Sequence, residues 1–178
     1  ASQIILSFQT IISRFINPID RAVISVTKIH GGSAYNVIDD EVIISGTVRT
    51  FNSELQDSIE QKMKETALTI SKMNNANAKV VYKRKYPPTI NSKNESIVAS
   101  EVAKELVGKS NVNTEIKPSM GSEDFSFFLN EKPGAYLYIG QQDKNHNANL
   151  HTTKYDFNNN ILPIGVNFWV KLVHKFFD

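Results

Sequence analysis

AVISVTKIH, residues 22–30, and EVIISGTVRTF, residues 41–51, decide the fold. Both are short and rich in β-branched side chains, the composition of strands. In the second, Val42, Ile44 and Val48 fall on one face and Arg49 on the other. The link between them opens with Gly31-Gly32-Ser33-Ala34-Tyr35-Asn36, a turn-rich stretch. Upstream, Ile4, Ile5, Phe8, Ile11, Ile12 and Phe15 recur at helical spacing, and Asn17-Pro18 stops that helix. Downstream, Asn52 and Ser53 offer an N-cap, with Ser53 and Gln56 fitting a capping box. Leu55, Ile59, Met63, Ala67 and Ile70 then mark the inner face of a long helix ending at Asn74-Asn75-Ala76-Asn77. Residues 78–85 (AKVVYKRK) read as a third strand. The order αββαβ is that of a ferredoxin-like α+β sandwich lacking its first strand.

Pro87-Pro88 marks a domain boundary. Beyond it, Ser92 with Glu95 forms another capping box, and a helix runs to about Val107 with Gly108 at its C-cap. A short extended piece over residues 113–116 leads to Met120-Gly121-Ser122-Glu123-Asp124-Phe125, where acidic residues favour a helix from Ser122. Residues 134–140 (GAYLYIG) read as a buried strand. A polar loop over residues 141–160 precedes a last helix from about Pro163 to Phe177. This second half is an α/β fragment rather than a closed domain.

The 178 residues are 40% hydrophobic and 21% charged, which is globular rather than disordered composition. Twenty basic residues against 18 acidic ones argue against a dedicated nucleic-acid binder. The longest apolar runs are too short for a membrane span. Cysteine is absent, which excludes disulfides, iron–sulfur clusters, thiolate zinc sites and cysteine nucleophiles. Ala1-Ser2-Gln3 has no basic n-region and no initiator Met, as expected of a processed product or a piece of a longer chain.

Few residues stand out chemically. His146 and His151 lie five apart in a polar loop after a strand, where α/β proteins place ligands. Two histidines fall short of the three or four ligands that a metal site needs, so on spacing alone each reads first as a surface or loop-packing residue. Arg49 in a strand must be paired, solvated or facing a ligand. With Asn36 it would suit a carboxylate, a two-pronged cation plus an amide donor. The plain alternative is an edge arginine in solvent and a turn asparagine. Glu123-Asp124 reads as a carboxylate pair or, better, as acids at a helix start. Backbone N–H groups of Gly121 and Ser122 offer an anion site there. His30 ends a strand, His174 has no candidate partner in sequence, and Tyr136, Tyr138, Phe127 and Phe128 read as core.

Taken in order, these segments resemble a family. They are SFQTIISRFINP (residues 7–18), His30-Gly31-Gly32-Ser33-Ala34-Tyr35-Asn36-Val37-Ile38-Asp39-Asp40, Gly46-Thr47-Val48-Arg49-Thr50-Phe51, Tyr86-Pro87-Pro88-Thr89, Met120-Gly121-Ser122-Glu123-Asp124-Phe125, Pro133-Gly134-Ala135-Tyr136, and Leu150-His151 ahead of Tyr155-Asp156-Phe157-Asn158. Together they resemble the C-terminal part of the metal-dependent amidohydrolases that include hippurate hydrolase, aminoacylase and the plant auxin-conjugate hydrolases. The resemblance covers essentially the whole chain.

That resemblance implies a lid and dimerisation domain over residues 1–86 and the C-terminal part of a catalytic metallohydrolase domain over residues 87–178. It implies two divalent metal ions, Zn or Mn, in the complete enzyme, with His151 as one ligand. It implies that Asn36 and Arg49 grip the substrate carboxylate, with Gly121 and Ser122 in the pocket wall. The substrates implied are N-acyl amino acids, hippurate-like amides or small peptides, hydrolysed by a cytoplasmic homodimer with no role for nucleic acid or membrane. Two departures stand out. The family's usual Asn-Val-Ile-Pro-Asp reads Asn36-Val37-Ile38-Asp39-Asp40, which is expected to loosen the turn. The remaining metal ligands and the glutamate general base have no counterpart here, so the chain alone is expected to be inactive and to expose an apolar face over residues 87–178. The alternatives are a non-catalytic carboxylate-binding or dimerisation module and the product of a split gene.

Overall fold

The computed structural model describes residues 1–177 as an α+β chain that divides into two compact units. The first comprises residues 1–88 with Met120–Ser122, the second residues 89–119 with 123–178.

In the first unit, helix α1 (Ser2–Thr10) runs into a π-helical turn, Ile11–Phe15, before Asn17-Pro18 ends it. Strand β1 (Ala22–His30) pairs antiparallel with β2 (Ile43–Thr50), and the register matches Ile24 with Val48 and Val23 with Arg49. Ile24 and Val48 turn inward, so Arg49 faces away from the core, as the alternation predicts. A bulge lies between Val26 and Lys28, beside Gly46. A Cβ on Gly46 would sit 2.2 Å from the Ser25 carbonyl oxygen, so only glycine fits there.

Helix α2 (Ser53–Met73) is capped by Asn52, whose Oδ1 accepts from the N–H of Glu54 at 2.8 Å and of Leu55 at 3.1 Å. The cap is therefore Asn52, with Ser53 the first helical residue. Ile59 and Ala67 of α2 join Phe8, Ile11, Ile16 and Ile24 in one core.

Residues 78–85 do not form the expected third strand; β1 and β2 make the one sheet among the described residues. The segment is held by its side chains instead. Ala78 and Val80 pack on the core, and Arg84 grips α2, with Nε and Nη2 on Glu60 at 3.1 and 2.7 Å and Nη1 on Asp57 at 2.6 Å. Lys64, then Arg84, hold the Glu60 carboxyl below its ordinary range by donating to it.

In the second unit, α3 (Lys93–Val107) packs on α5 (Leu162–Phe177) through Ala99, Val102 and Phe168, and Lys175 reaches Glu105 at 3.5 Å. Gly108 closes α3 at φ +87° as the sequence predicts. Helix α4, Phe125–Glu131, starts three residues later than the Ser122 expected. Glu123 precedes it and accepts the Phe125 N–H at 3.3 Å, so its carboxylate serves the start of the helix from outside.

Residues 134–140 are a second expected strand without a ladder. Ser92, through its backbone and its hydroxyl, and the Asn91 side chain substitute for a neighbour. The Ser92 N–H donates to the Gly134 carbonyl at 2.8 Å while Ser92 Oγ accepts from Gly134 N at 3.1 Å. That hydroxyl is thereby diverted from capping α3. Leu137, Ile139, Val166, Trp169 and Val173 are exposed, in line with the apolar surface expected over residues 87–178. Phe127, Phe128 and Tyr138, expected in the core, are exposed too, and the strand expected to be buried is exposed over residues 137–140.

Candidate functional site

Arg49 sits near the end of β2, opposite Val23. Its guanidinium donates to the carbonyl oxygen of Met120, 71 residues away in sequence. That bond fixes Met120–Ser122 beside Arg49 within the first unit. Three of the sequence-selected residues, Arg49, Gly121 and Ser122, are thus brought together.

Asn36 is placed differently. The loop that carries it grows from the His30–Ile43 end of the hairpin. Ile43 and Arg49 are separated by about 20 Å of strand at the usual rise per residue. Asn36 and Arg49 are therefore rooted at opposite ends of β2. The Asn36 loop is closed despite its missing proline. Asp39 Oδ2 accepts from the Gly32 N–H at 2.6 Å, and Oδ1 accepts from Ser33 Oγ at 3.0 Å.

The polar loop of the second unit carries the histidines. His151 is exposed in a turn at φ +63°, in the left-handed region. Holding a histidine there costs about 1 kcal/mol or more, a cost characteristic of functional positions. His146 has a different fate. Its Nδ1 meets Asp143 Oδ1 at 2.8 Å, and Asp143 also accepts the backbone N–H groups of Asn145 and His146, each at 2.8 Å. The His146 N–H, then its imidazole, then the Asn145 N–H hold the Asp143 carboxyl below its ordinary value. His146 is thus a structural residue of the loop.

The residue that organises this loop is Asn158, which stands out in the sequence only as part of a motif. It is buried, and its Nδ2 donates to the Gln141 carbonyl at 2.9 Å and to Asp143 Oδ2 at 3.1 Å. Its own N–H donates to Gln141 Oε1 at 3.1 Å. The two ends of the loop are thereby tied, with His151 presented between them. An asparagine just ahead of an apolar helix reads as a cap in sequence, and Asn158 does accept the Asn160 N–H at 3.1 Å. Its long-range bonds leave no local signature.

Glu123 and Tyr136 form a hydrogen-bonded pair. A hydrogen bond from the tyrosine hydroxyl lowers the Glu123 pKa. The same bond, with some burial, pushes Tyr136 up to about 12.

Among the described residues no three His, Cys, Asp or Glu side chains come together to hold a metal ion. The residues present do not make a metal centre, and His151 stands as a single donor. Nor is any described helix long and apolar enough to cross a membrane.

Residues 11–175 match the model of peptidase family M20/M25/M40, and the chain belongs to that family. It is 37% identical over 170 residues to IAA-amino acid hydrolase ILR1-like 2 of Arabidopsis thaliana, covering 93% of this chain and 38% of that one. It is 33% identical to hippurate hydrolase of Campylobacter jejuni, covering 99% and 45%. Among solved structures it is similar to the Bacillus subtilis YXEP protein, a dinuclear metal binding peptidase from the M20 family. The TM-score is 0.79 at 26% identity, covering 99% of this chain and 45% of that one. The chain thus spans less than half the length of these relatives.

Proposed function

We propose that this chain is the substrate-recognising C-terminal portion of a metal-dependent amidohydrolase acting on N-acyl amino acids or related amino-acid conjugates. The observation that carries the reading is the bond from Arg49 to Met120, which brings a cation and the Gly121-Ser122 segment into one place. A guanidinium recognises a carboxylate in two-pronged fashion, and every N-acyl amino acid offers one. Names of relatives that act on IAA-amino acids and hippurate support that substrate class.

In this reading the first unit is the incomplete ferredoxin-like lid, which carries Asn36 and Arg49 and forms a homodimer contact. The second unit contributes His151 to a metal centre and the scaffold that presents it. The other ligands and the general base belong to the rest of the family's length, so the chain by itself does not hydrolyse amides. No catalytic step is assigned to its own residues. The absence of a ligand cluster among the described residues also supports a second reading, a carboxylate-binding module without chemistry.

The test is hippurate hydrolysis by the chain joined to the N-terminal portion of a family member. Restored turnover with an Arg49→Ala variant of raised KM supports the amidohydrolase. Carboxylate binding without turnover supports the module. An Arg49→Ala variant with unaltered KM removes arginine from the site.

A further inference from the structure

The loop between β1 and β2 has almost nothing to hold it. From Gly31 to Ile43 every residue is exposed except Asp39, which is half-buried. Its bulky apolar side chains, Tyr35 and Ile38, point entirely into solvent and supply no anchor. What closes it is the Asp39 carboxylate. One oxygen takes the N–H of Gly32 at 2.6 Å, the other the hydroxyl of Ser33 at 3.0 Å. Gly32 permits this by turning the chain at φ +96°, and Val37 N–H donates to Ala34 O at 3.2 Å inside the closed ring. Asn36 lies at the centre of the segment so enclosed.

We propose that Asp39 is a positioning residue that holds Asn36 ready for the substrate, doing by hydrogen bonds what the family's usual proline does by its ring. The proposal rests on the reading of Asn36 as a substrate contact. A proline stiffens one backbone angle. A carboxylate ties two points of a loop together and restricts every residue between them. If the tied form is the binding-competent one, releasing it lowers apparent affinity by the fraction of time the loop spends closed.

The experiment uses the full 178-residue chain with the variants Asp39→Ala, Asp39→Pro and Asn36→Ala. Backbone NMR relaxation reads loop order over residues 33–38, and a titration with hippurate reads affinity. For Asp39→Ala the order parameters are expected to fall from about 0.85 to below about 0.6. Hippurate affinity is expected to fall about tenfold, as for a loop closed one-tenth of the time. Asp39→Pro is expected to restore both. Asn36→Ala is expected to weaken hippurate with loop order intact. Unchanged order in Asp39→Ala overturns the staple. Lost order with unchanged affinity, where Asn36→Ala still weakens binding, overturns the positioning role alone. Unchanged affinity in Asn36→Ala, or no hippurate response in the unaltered chain, overturns the Asn36 reading and the proposal with it, and the relaxation data then still report whether the staple exists.

Discussion

Asn91 pairs with Tyr136 the way one strand pairs with another: its Oδ1 accepts the Tyr136 N–H at 2.8 Å and its Nδ2 donates to the Tyr136 carbonyl at 2.9 Å. A single side-chain amide thus supplies both halves of a ladder rung to residues 134–140. Truncation in Asn91→Ala removes both bonds. The expected loss is about 1 kcal/mol, since the freed backbone groups are near solvent. Asn91→Asp keeps the acceptor and should lose less. Urea unfolding of both variants measures the difference.

Ile59 is fully buried in the core of the first unit. Ile59→Ala is expected to cost about 2–5 kcal/mol, the range for a buried isoleucine whose cavity does not collapse. Gly46→Ala attacks the same unit by another route, because the new methyl would strike the Ser25 carbonyl. Loss of the cross-strand NMR contacts between Ile24 and Val48 would report that damage directly.

Tyr136 should ionise only as pH approaches about 12. Its folded value lies above the ordinary 10.0, so the stabilisation is complete below pH 10 and is lost as pH rises through about 12. Glu123→Ala removes the acceptor whose hydrogen bond is the largest cause of the shift. Ultraviolet titration of phenolate absorbance in that variant is expected to show the tyrosine returning toward its ordinary value.

Asp143 behaves in the opposite sense. Its folded pKa is depressed by hydrogen bonds from His146 and Asn145. The contribution is present above the ordinary aspartate range and vanishes as pH falls through the depressed value. The 141–158 loop should therefore open in acid, seen as collapse of the His146 and Asn145 amide shifts. An Asp143→Asn variant should show no such acid transition.

His151 carries backbone strain that glycine would relieve. His151→Gly is expected to gain about 1 kcal/mol in unfolding free energy. The same variant in the complete enzyme is expected to bind less metal and turn over more slowly. A gain in stability joined to a loss of metal content would mark a residue kept for its chemistry. Unchanged metal content would remove His151 from the ligand set.

Local signals were the legible ones. The hairpin, the stripe of α2 and the Gly108 cap all arise from periodicity or from single residues at turns. Residues 78–85 and 134–140 read as strands because propensity reports a preference for extended backbone. A ladder also needs a neighbouring strand, and no such neighbour pairs with either segment. Arg84 and Asn91 take that place, over 24 and 45 residues of sequence. Arg49 was legible as a charge needing a partner, but Met120 as that partner was not. The Asn158 network was hidden for the same reason, because each of its long-range bonds joins residues 15 or 17 positions apart.

The π-helical turn at Ile11–Phe15 carries one residue more per turn than the helix it extends. Ile16 N–H reaches the Ile11 carbonyl at 3.1 Å, and both isoleucines are buried while Phe15 is left outside. Such a turn absorbs an inserted residue without moving the chain downstream of it. Removing one residue there would restore ordinary helix and leave the entry to β1 nearly in place. This short stretch is thus a point where the gene can lose a codon and the hairpin still land on its core.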